Sequence, residues 1–219
     1  MNRFDGIIFD LDYTLYDERE YFFAVFQKFC TLFHYTERLE SMRSSFITLR
    51  AVSKDIFTDV LQSTGFADDV SQLREELFYL YTTVNVRIPI YQDALSFLDD
   101  FGEKNLRAGV FTNGVIAAQQ NKLLCLQISQ YFDTIFFARQ FGKEFEKPHT
   151  RSFEKVSHNI HITPTRLLFI GDNPSLDFQG AKMIGGSTVR LRRGIFKDIP
   201  RNEYIDYEID SFKEISQIL

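Results

Sequence analysis

Asp10 and Asp12 stand two residues apart at the end of a short apolar run, Gly6-Ile7-Ile8-Phe9. If the backbone stays extended, both side chains fall on the same side, and two carboxylates that close repel each other. The pair is tolerated where a cation compensates, or where one member keeps a proton and so can act as an acid. Either outcome serves catalysis, although a lone Asp-x-Asp also fits a turn or a helix cap. Two more acids occur in Gly171-Asp172-Asn173-Pro174-Ser175-Leu176-Asp177. Asp172 there follows an apolar run and a glycine, while Asp177 either serves a cation or caps the helix running through Ala181 and Ile184. Thr112-Asn113-Gly114 ends another apolar run and is also a common signal for chain reversal. Lys147 precedes Pro148, which biases it towards extended backbone; a lone Lys-Pro is usually a surface loop.

The runs that carry these groups have the texture of parallel strands buried on both faces. After the first, they recur at residues 108–111, 134–138, 167–170 and 187–191. Segments near helical spacing separate most of them, with Ala94, Leu95, Leu98 and Phe101 before the second run and Phe153 and Val156 before the fourth. This alternation predicts an α/β fold, a Rossmann-like doubly wound parallel sheet whose carboxyl edge gathers Asp10, Asp12, Thr112, Asn113 and Asp172. Residues 17–88 differ. Tyr21, Phe22, Val25, Phe26, Phe29, Leu32 and Phe33 make one helical stripe, and Leu73, Leu77, Leu80, Tyr81 and Val84 make another, with no proline between them. The expected division is a core of residues 1–16 and 89–219 with an inserted all-helical cap over residues 17–88.

Taken in order, these segments resemble the haloacid dehalogenase-like hydrolase superfamily. Asp10-Leu11-Asp12-Tyr13-Thr14-Leu15-Tyr16-Asp17 looks like its first motif, Phe111-Thr112-Asn113-Gly114 its second, Lys147-Pro148 its third and Gly171 to Asp177 its fourth. Each is weak alone; the ordered set is not. The resemblance implies subclass I, with a helical cap, and the Thr-Asn-Gly-Val region and Tyr131-Phe132-Asp133 look most like the branch holding nucleoside 5'-monophosphatases and acylneuraminate 9-phosphatases. It implies a phosphatase acting on a small phosphate monoester, such as a nucleotide or sugar phosphate, through an aspartyl-phosphate. Asp10 is then the nucleophile and Asp12 the acid and later the base. Thr112, Asn113 and Lys147 bind the phosphoryl group, with Lys147 also holding the nucleophile's charge. Asp10, the main-chain carbonyl of Asp12, and Asp172 bind Mg²⁺, with Asp177 reaching it directly or through water. Four carboxylates receiving a phosphate dianion need such offsets. Tyr13 stands where the family commonly has glycine and should bulk the mouth of the site.

Composition narrows the alternatives. A net charge of -5 over 219 residues argues against a nucleic-acid polymer as partner. No apolar run approaches the roughly 20 residues of a membrane span, and Cys30 and Cys125 suit a reducing cytoplasm rather than a disulfide framework. Arg190, Arg192, Arg193 and Lys197 read as a solvated loop face, His158 and His161 as surface residues, and His149 as a loop residue near the pocket rim. A phosphomutase or phosphotransferase would use the same intermediate. A receiver-type phospho-acceptor domain would place its acids adjacent and lack a cap, and a silent ligand-binding relative would not need Asp10 and Asp12. Polar residues of the cap such as Arg43, Arg50 or Lys54 are expected to meet the leaving group, and the sequence does not say which.

Overall fold

The computed structural model describes residues 3–67, 69–101 and 106–219; residues 1, 2, 68 and 102–105 of the expected division lie outside it. Six parallel strands, β1 (Gly6–Phe9), β2 (Arg107–Thr112), β3 (Thr134–Phe137), β4 (Leu167–Gly171), β5 (Ser187–Leu191) and β6 (Tyr207–Ile209), form one sheet in the order β3-β2-β1-β4-β5-β6. The chain steps outward from β1 to β3, then crosses back to β4 on the other side of β1. A crevice therefore opens at the carboxyl ends of the central strands. Strand alternation divides the core: Ile7, Phe9, Val110, Leu168 and Ile170 face one apolar cluster, and Ile8, Phe111 and Phe169 face the other. The last strand was not legible in the sequence. It is three residues long at the sheet edge, and two of its three side chains are only half-buried.

Between β1 and β2 the chain makes α1 (Glu18–Leu32), α2 (Leu39–Leu49), α3 (Ile56–Ser63) and α4 (Val70–Thr83), followed by α5 (Gln92–Asp99). Asp17 caps α1 by accepting the Arg19 N–H, and Asp55 caps α3. The first aromatic stripe is real from Tyr21 to Phe29, all buried, but Leu32 points out and is half exposed. Phe29 instead meets Phe33, four residues on, at 5.0 Å between rings. The insertion leaves and rejoins the sheet at a small knot, where Tyr16 bridges both Asp12 and Ile90. Later helices α6 (Ile116–Leu126), α7 (Thr150–Ile160) and α8 (Gln179–Met183) cross between the remaining strands.

The basic cluster is not a solvated face. Arg190 lies in β5 almost fully buried, donating to Glu208 at 2.8 Å and to the Phe196 carbonyl at 2.7 Å. Arg193 is largely buried against Asp93 at 2.6 Å, whereas Arg192 and Lys197 are exposed as expected. A loop arginine and a strand arginine look alike in a sequence when their acid partners lie far along the chain. Asp93, in the first turn of α5, also accepts from the Ser211 hydroxyl and the Phe212 N–H, both at 2.9 Å. Burial works to raise the pKa of Asp93, but Arg193 and the Phe212 N–H outweigh it and hold the carboxyl below its ordinary range. Asp93→Ala should cost about 3 kcal/mol in urea unfolding near neutral pH, because it strands several donors at once. A depressed carboxyl stabilises the fold above its unfolded pKa of about 4 and loses that contribution as pH falls through its folded value. The gap between variant and wild type should therefore narrow in acid.

Candidate active site

The carboxyl ends of β1, β2 and β4 open into one cavity of about 420 Å³. Asp10, Asp12, Thr112, Asn113, Lys147, Asp172 and Asp177, spread over 168 residues of chain, all line it. Asn113 grips the backbone of Lys147 from both sides: its Oδ1 accepts the Lys147 N–H at 2.8 Å and its Nδ2 donates to the Lys147 carbonyl at 3.2 Å. That clamp aims the buried ammonium, which donates to Asp10 Oδ1 at 2.5 Å and Asp177 Oδ1 at 2.8 Å. Burial works against a charged Lys147, but Asp10 and Asp177 outweigh it and hold its pKa above the ordinary range. Asp177 does not cap α8. Its other oxygen accepts the Asn173 N–H at 2.9 Å, and the helix begins beyond Phe178.

Asp10, Asp172 and Asp177 each present a carboxylate oxygen, and the three oxygens lie within 4.8 Å of one another. Oδ2 of Asp172 is buried and has no hydrogen-bond partner. Burial pushes the Asp10 carboxyl up to about 7 against the pull of Lys147, with Asp177 and Asp12 adding to the rise. Burial, then Asp177 and Asp10, push Asp172 well above the carboxylate range. A crowded, all-oxygen set of carboxyls with an orphaned buried oxygen fits a hard divalent cation, which would favour their ionised forms.

Asp12 is held quite differently. Its Oδ1 accepts from the Tyr16 hydroxyl at 2.5 Å and from Lys122 at 2.7 Å, and its Oδ2 accepts from Gln119 at 3.1 Å. Its side chain is thus engaged away from the three clustered acids, which leaves the main-chain carbonyl as the donor it could offer a cation. Burial would raise its pKa, but Lys122, Tyr16 and Gln119 together bring it below the ordinary range. Lys122 continues to Glu18 at 3.2 Å, and Glu18 is gripped by Arg50 through two bonds, of 2.8 and 3.1 Å. None of Gln119, Lys122, Glu18 or Glu146 was picked out from the sequence. The available signal was the i, i+3 spacing of Gln119 and Lys122 on the helix that follows Thr112-Asn113-Gly114. Glu146 accepts the Gly114 N–H at 2.8 Å and so ties the turn after β2 to the segment carrying Lys147.

Tyr13 adopts a left-handed conformation with φ of 57°, at a cost of roughly 1–2 kcal/mol for a residue with a Cβ. A Cβ at Gly194 would lie 2.6 Å from its ring, so that glycine makes the room for it. Tyr13 thus forms cavity wall, as its bulk foretold. Of the three candidate cap cations, Arg50 lines the cavity and the other two do not. Arg43 pairs with Glu40 at 2.6 Å and lies half-buried over the Phe23 ring of α1, and Lys54 is exposed. His149 caps α7 and lines a separate hollow with Glu144 and Met183. Among the described residues no helix is long and apolar enough to cross a membrane.

Comparison with known proteins bears on the family and the fold. A family model described as haloacid dehalogenase-like hydrolase matches residues 7–191. The glyceraldehyde 3-phosphate phosphatase of Methanocaldococcus jannaschii is 26% identical over 98% of this chain and 96% of its own length. The N-acylneuraminate-9-phosphatase of Mus musculus is 23% identical over 100% and 95%. Among solved structures, YfnB of Bacillus subtilis superposes over 100% of this chain and 99% of its own with a TM-score of 0.73 at 19% identity, a likeness of fold.

Proposed function

The chain belongs to the haloacid dehalogenase-like hydrolases, and from that premise we propose that it is a Mg²⁺-dependent phosphatase that hydrolyses a small phosphate monoester through Asp10. Relatives that align over nearly the whole chain are phosphatases of small phosphorylated metabolites. The observation that carries the reading is the Lys147 ammonium spanning Asp10 and Asp177 in the same cavity that holds Asp12. A cavity of about 420 Å³ suits a sugar, triose or nucleoside phosphate and not a polymer. The helices of residues 17–88, with Arg50 and Tyr81 on the cavity wall, act as the cap that selects the leaving group.

The chemistry divides into two displacements. A carboxylate oxygen of Asp10 bonds to phosphorus as the bond to the leaving oxygen breaks, and Asp12 passes a proton to that oxygen. The arriving phosphate dianion puts negative charge beside Asp12 and favours the protonated form it needs. Water then bonds to phosphorus, the bond to Asp10 breaks, and Asp12 takes the water's proton. The net result is an alcohol and inorganic phosphate. Thr112, Asn113 and Lys147 hold the phosphoryl oxygens throughout. Asp10, Asp172, the Asp12 carbonyl and Asp177 would hold Mg²⁺, which supplies positive charge opposite the transferring group.

Purified protein offered a panel of phosphate monoesters should release inorganic phosphate from at least one small sugar, triose or nucleoside phosphate with Mg²⁺ and not with chelator. Release from none of them, or transfer of phosphate to a second substrate in place of release, defeats the hydrolase reading. Metal binding has its own signature. A carboxyl raised in the fold, like Asp10 at about 7, stabilises fully below its unfolded pKa near 4 and loses that contribution as pH rises through 7. Mg²⁺ should therefore raise the melting temperature more at pH 8 than at pH 5. Equal stabilisation at both would count against these acids as ligands.

A further inference from the structure

Lys122 is fully buried, yet it belongs neither to the phosphate apparatus nor to the clustered acids. It stands on α6, part of the sheet's own framework, and its ammonium is shared between Asp12 at 2.7 Å and Glu18 at 3.2 Å. Glu18 is the first residue of α1 in the insertion and is itself 1% exposed. Three rings of the insertion, Tyr21, Phe22 and Tyr81, surround the ammonium at 5.4–6.0 Å from their centroids. The far side of Glu18 is occupied by Arg50, at the end of α2. A continuous chain of charge, Asp12–Lys122–Glu18–Arg50, thus runs from the proton-transferring acid into the insertion. A buried ammonium between two carboxylates is costly to place, and no apolar packing need explains a lysine there.

We propose that Lys122 is a positioning residue for Asp12, and that the seating of the helical insertion on Lys122 through Glu18 sets the aim of the Asp12 carboxyl at the leaving oxygen. The insertion then governs proton transfer as well as substrate choice. Two points of attachment, Tyr16 and Lys122 on Oδ1, with Gln119 on Oδ2, fix the plane of the carboxyl. Loss of Lys122 removes the one charged tether and leaves the carboxyl on the neutral Tyr16 hydroxyl and Gln119 amide alone, with a looser aim. Misalignment of a proton donor slows the step that needs the proton and spares the binding of the phosphate.

This inference rests on the proposed phosphatase reaction, and leaving-group dependence separates the two. An activated aryl phosphate expels its leaving group with little help from an acid, whereas an alkyl phosphate needs the proton. In Lys122→Met the kcat for an alkyl phosphate should fall about 100-fold, a misplaced group's typical loss, with KM within threefold of wild type. The kcat/KM for p-nitrophenyl phosphate, which reports the first displacement and not the hydrolysis of the aspartyl-phosphate common to both substrates, should fall less than about tenfold. Lys122→Arg, which keeps the charge between the same two acids, should recover much of the alkyl rate. The double variant Lys122→Met/Glu18→Gln balances the buried charge, so that folding, followed by circular dichroism and melting temperature, is preserved if the single variant is unstable; it should show the same selective loss. Equal losses of kcat/KM on aryl and alkyl phosphates in a folded variant, or a change confined to KM, would overturn the positioning role. Failure of the underlying reaction looks different: wild-type protein would then hydrolyse neither substrate.

Discussion

Asp10→Asn is expected to lower kcat by roughly 10⁴-fold or more, the scale seen when a nucleophile is deleted from a site whose other parts remain, while the protein keeps its fold. The amide is nearly isosteric with the carboxyl but cannot form the bond to phosphorus. Its effect on stability should be opposite in sign to its effect on rate. Asp10 is largely enclosed, and its carboxyl is pushed up to about 7, so the fold resists its ionisation. A neutral amide has no charge to bury, and Lys147 keeps Asp177 at 2.8 Å as a counter-charge. In chelator at pH 8 the melting temperature of the variant should therefore equal or exceed that of wild type. Rapid acid quench of wild-type turnover with ³²P-labelled substrate should trap label on the protein, and the variant should trap none. A variant that keeps a tenth of the wild-type rate with the same substrate would remove Asp10 from the nucleophile's role.

The strand-end residues were legible because a parallel strand buried on both faces is a continuous apolar run, and its abrupt polar end marks the sheet edge where ligands gather. Gly6–Phe9 and Leu167–Gly171 are of that kind, and both are wholly buried. Tyr207–Ile209 lacks the signal, since an edge strand with one free side can carry a glutamate. The charge chain behind Asp12 was illegible for another reason. Lys122 and Glu18 are 104 residues apart, and a lysine and a glutamate on amphipathic helices read as solvent-facing until the fold brings them together. The same blindness set Arg43 and Lys54 beside Arg50 as equals. Arg50, at the C-terminal cap of α2, reaches the cavity, whereas Arg43 within α2 and Lys54 between α2 and α3 do not. Local pattern reveals which residues end a strand; which charges are buried is decided by contacts far apart in the chain.

Lys147→Met tests how the site tolerates its own acids. The side chain of Lys147 is 3% exposed, and its partners Asp10 and Asp177 are 13% and 6% exposed, so water screens this trio little. Methionine keeps the length and apolar body of the chain, and the Asn113 clamp holds the backbone, which the substitution leaves intact. What disappears is the ammonium alone. Breaking a buried charge pair typically costs 3–5 kcal/mol when a partner is left uncompensated, so the metal-free variant should be destabilised by about that much at pH 8. At pH 5 the cost should shrink, because Asp10 and Asp172, both raised by burial, can keep their protons there. Added Mg²⁺ should return more stability to the variant than to wild type if it binds the same acids, since it then supplies the only remaining positive charge among them. Turnover should not return with it. A phosphoryl group loses one of its two counter-charges and Asp10 loses the ammonium that favours its ionised form, so kcat should stay down by about 10³-fold, the cost of removing a preorganised charge from a dry site. Stability recovered by metal without recovered rate would separate the two tasks of Lys147, balancing the acids at rest and stabilising the phosphoryl group in transit. Full recovery of rate with Mg²⁺ would assign the lysine to the first task alone.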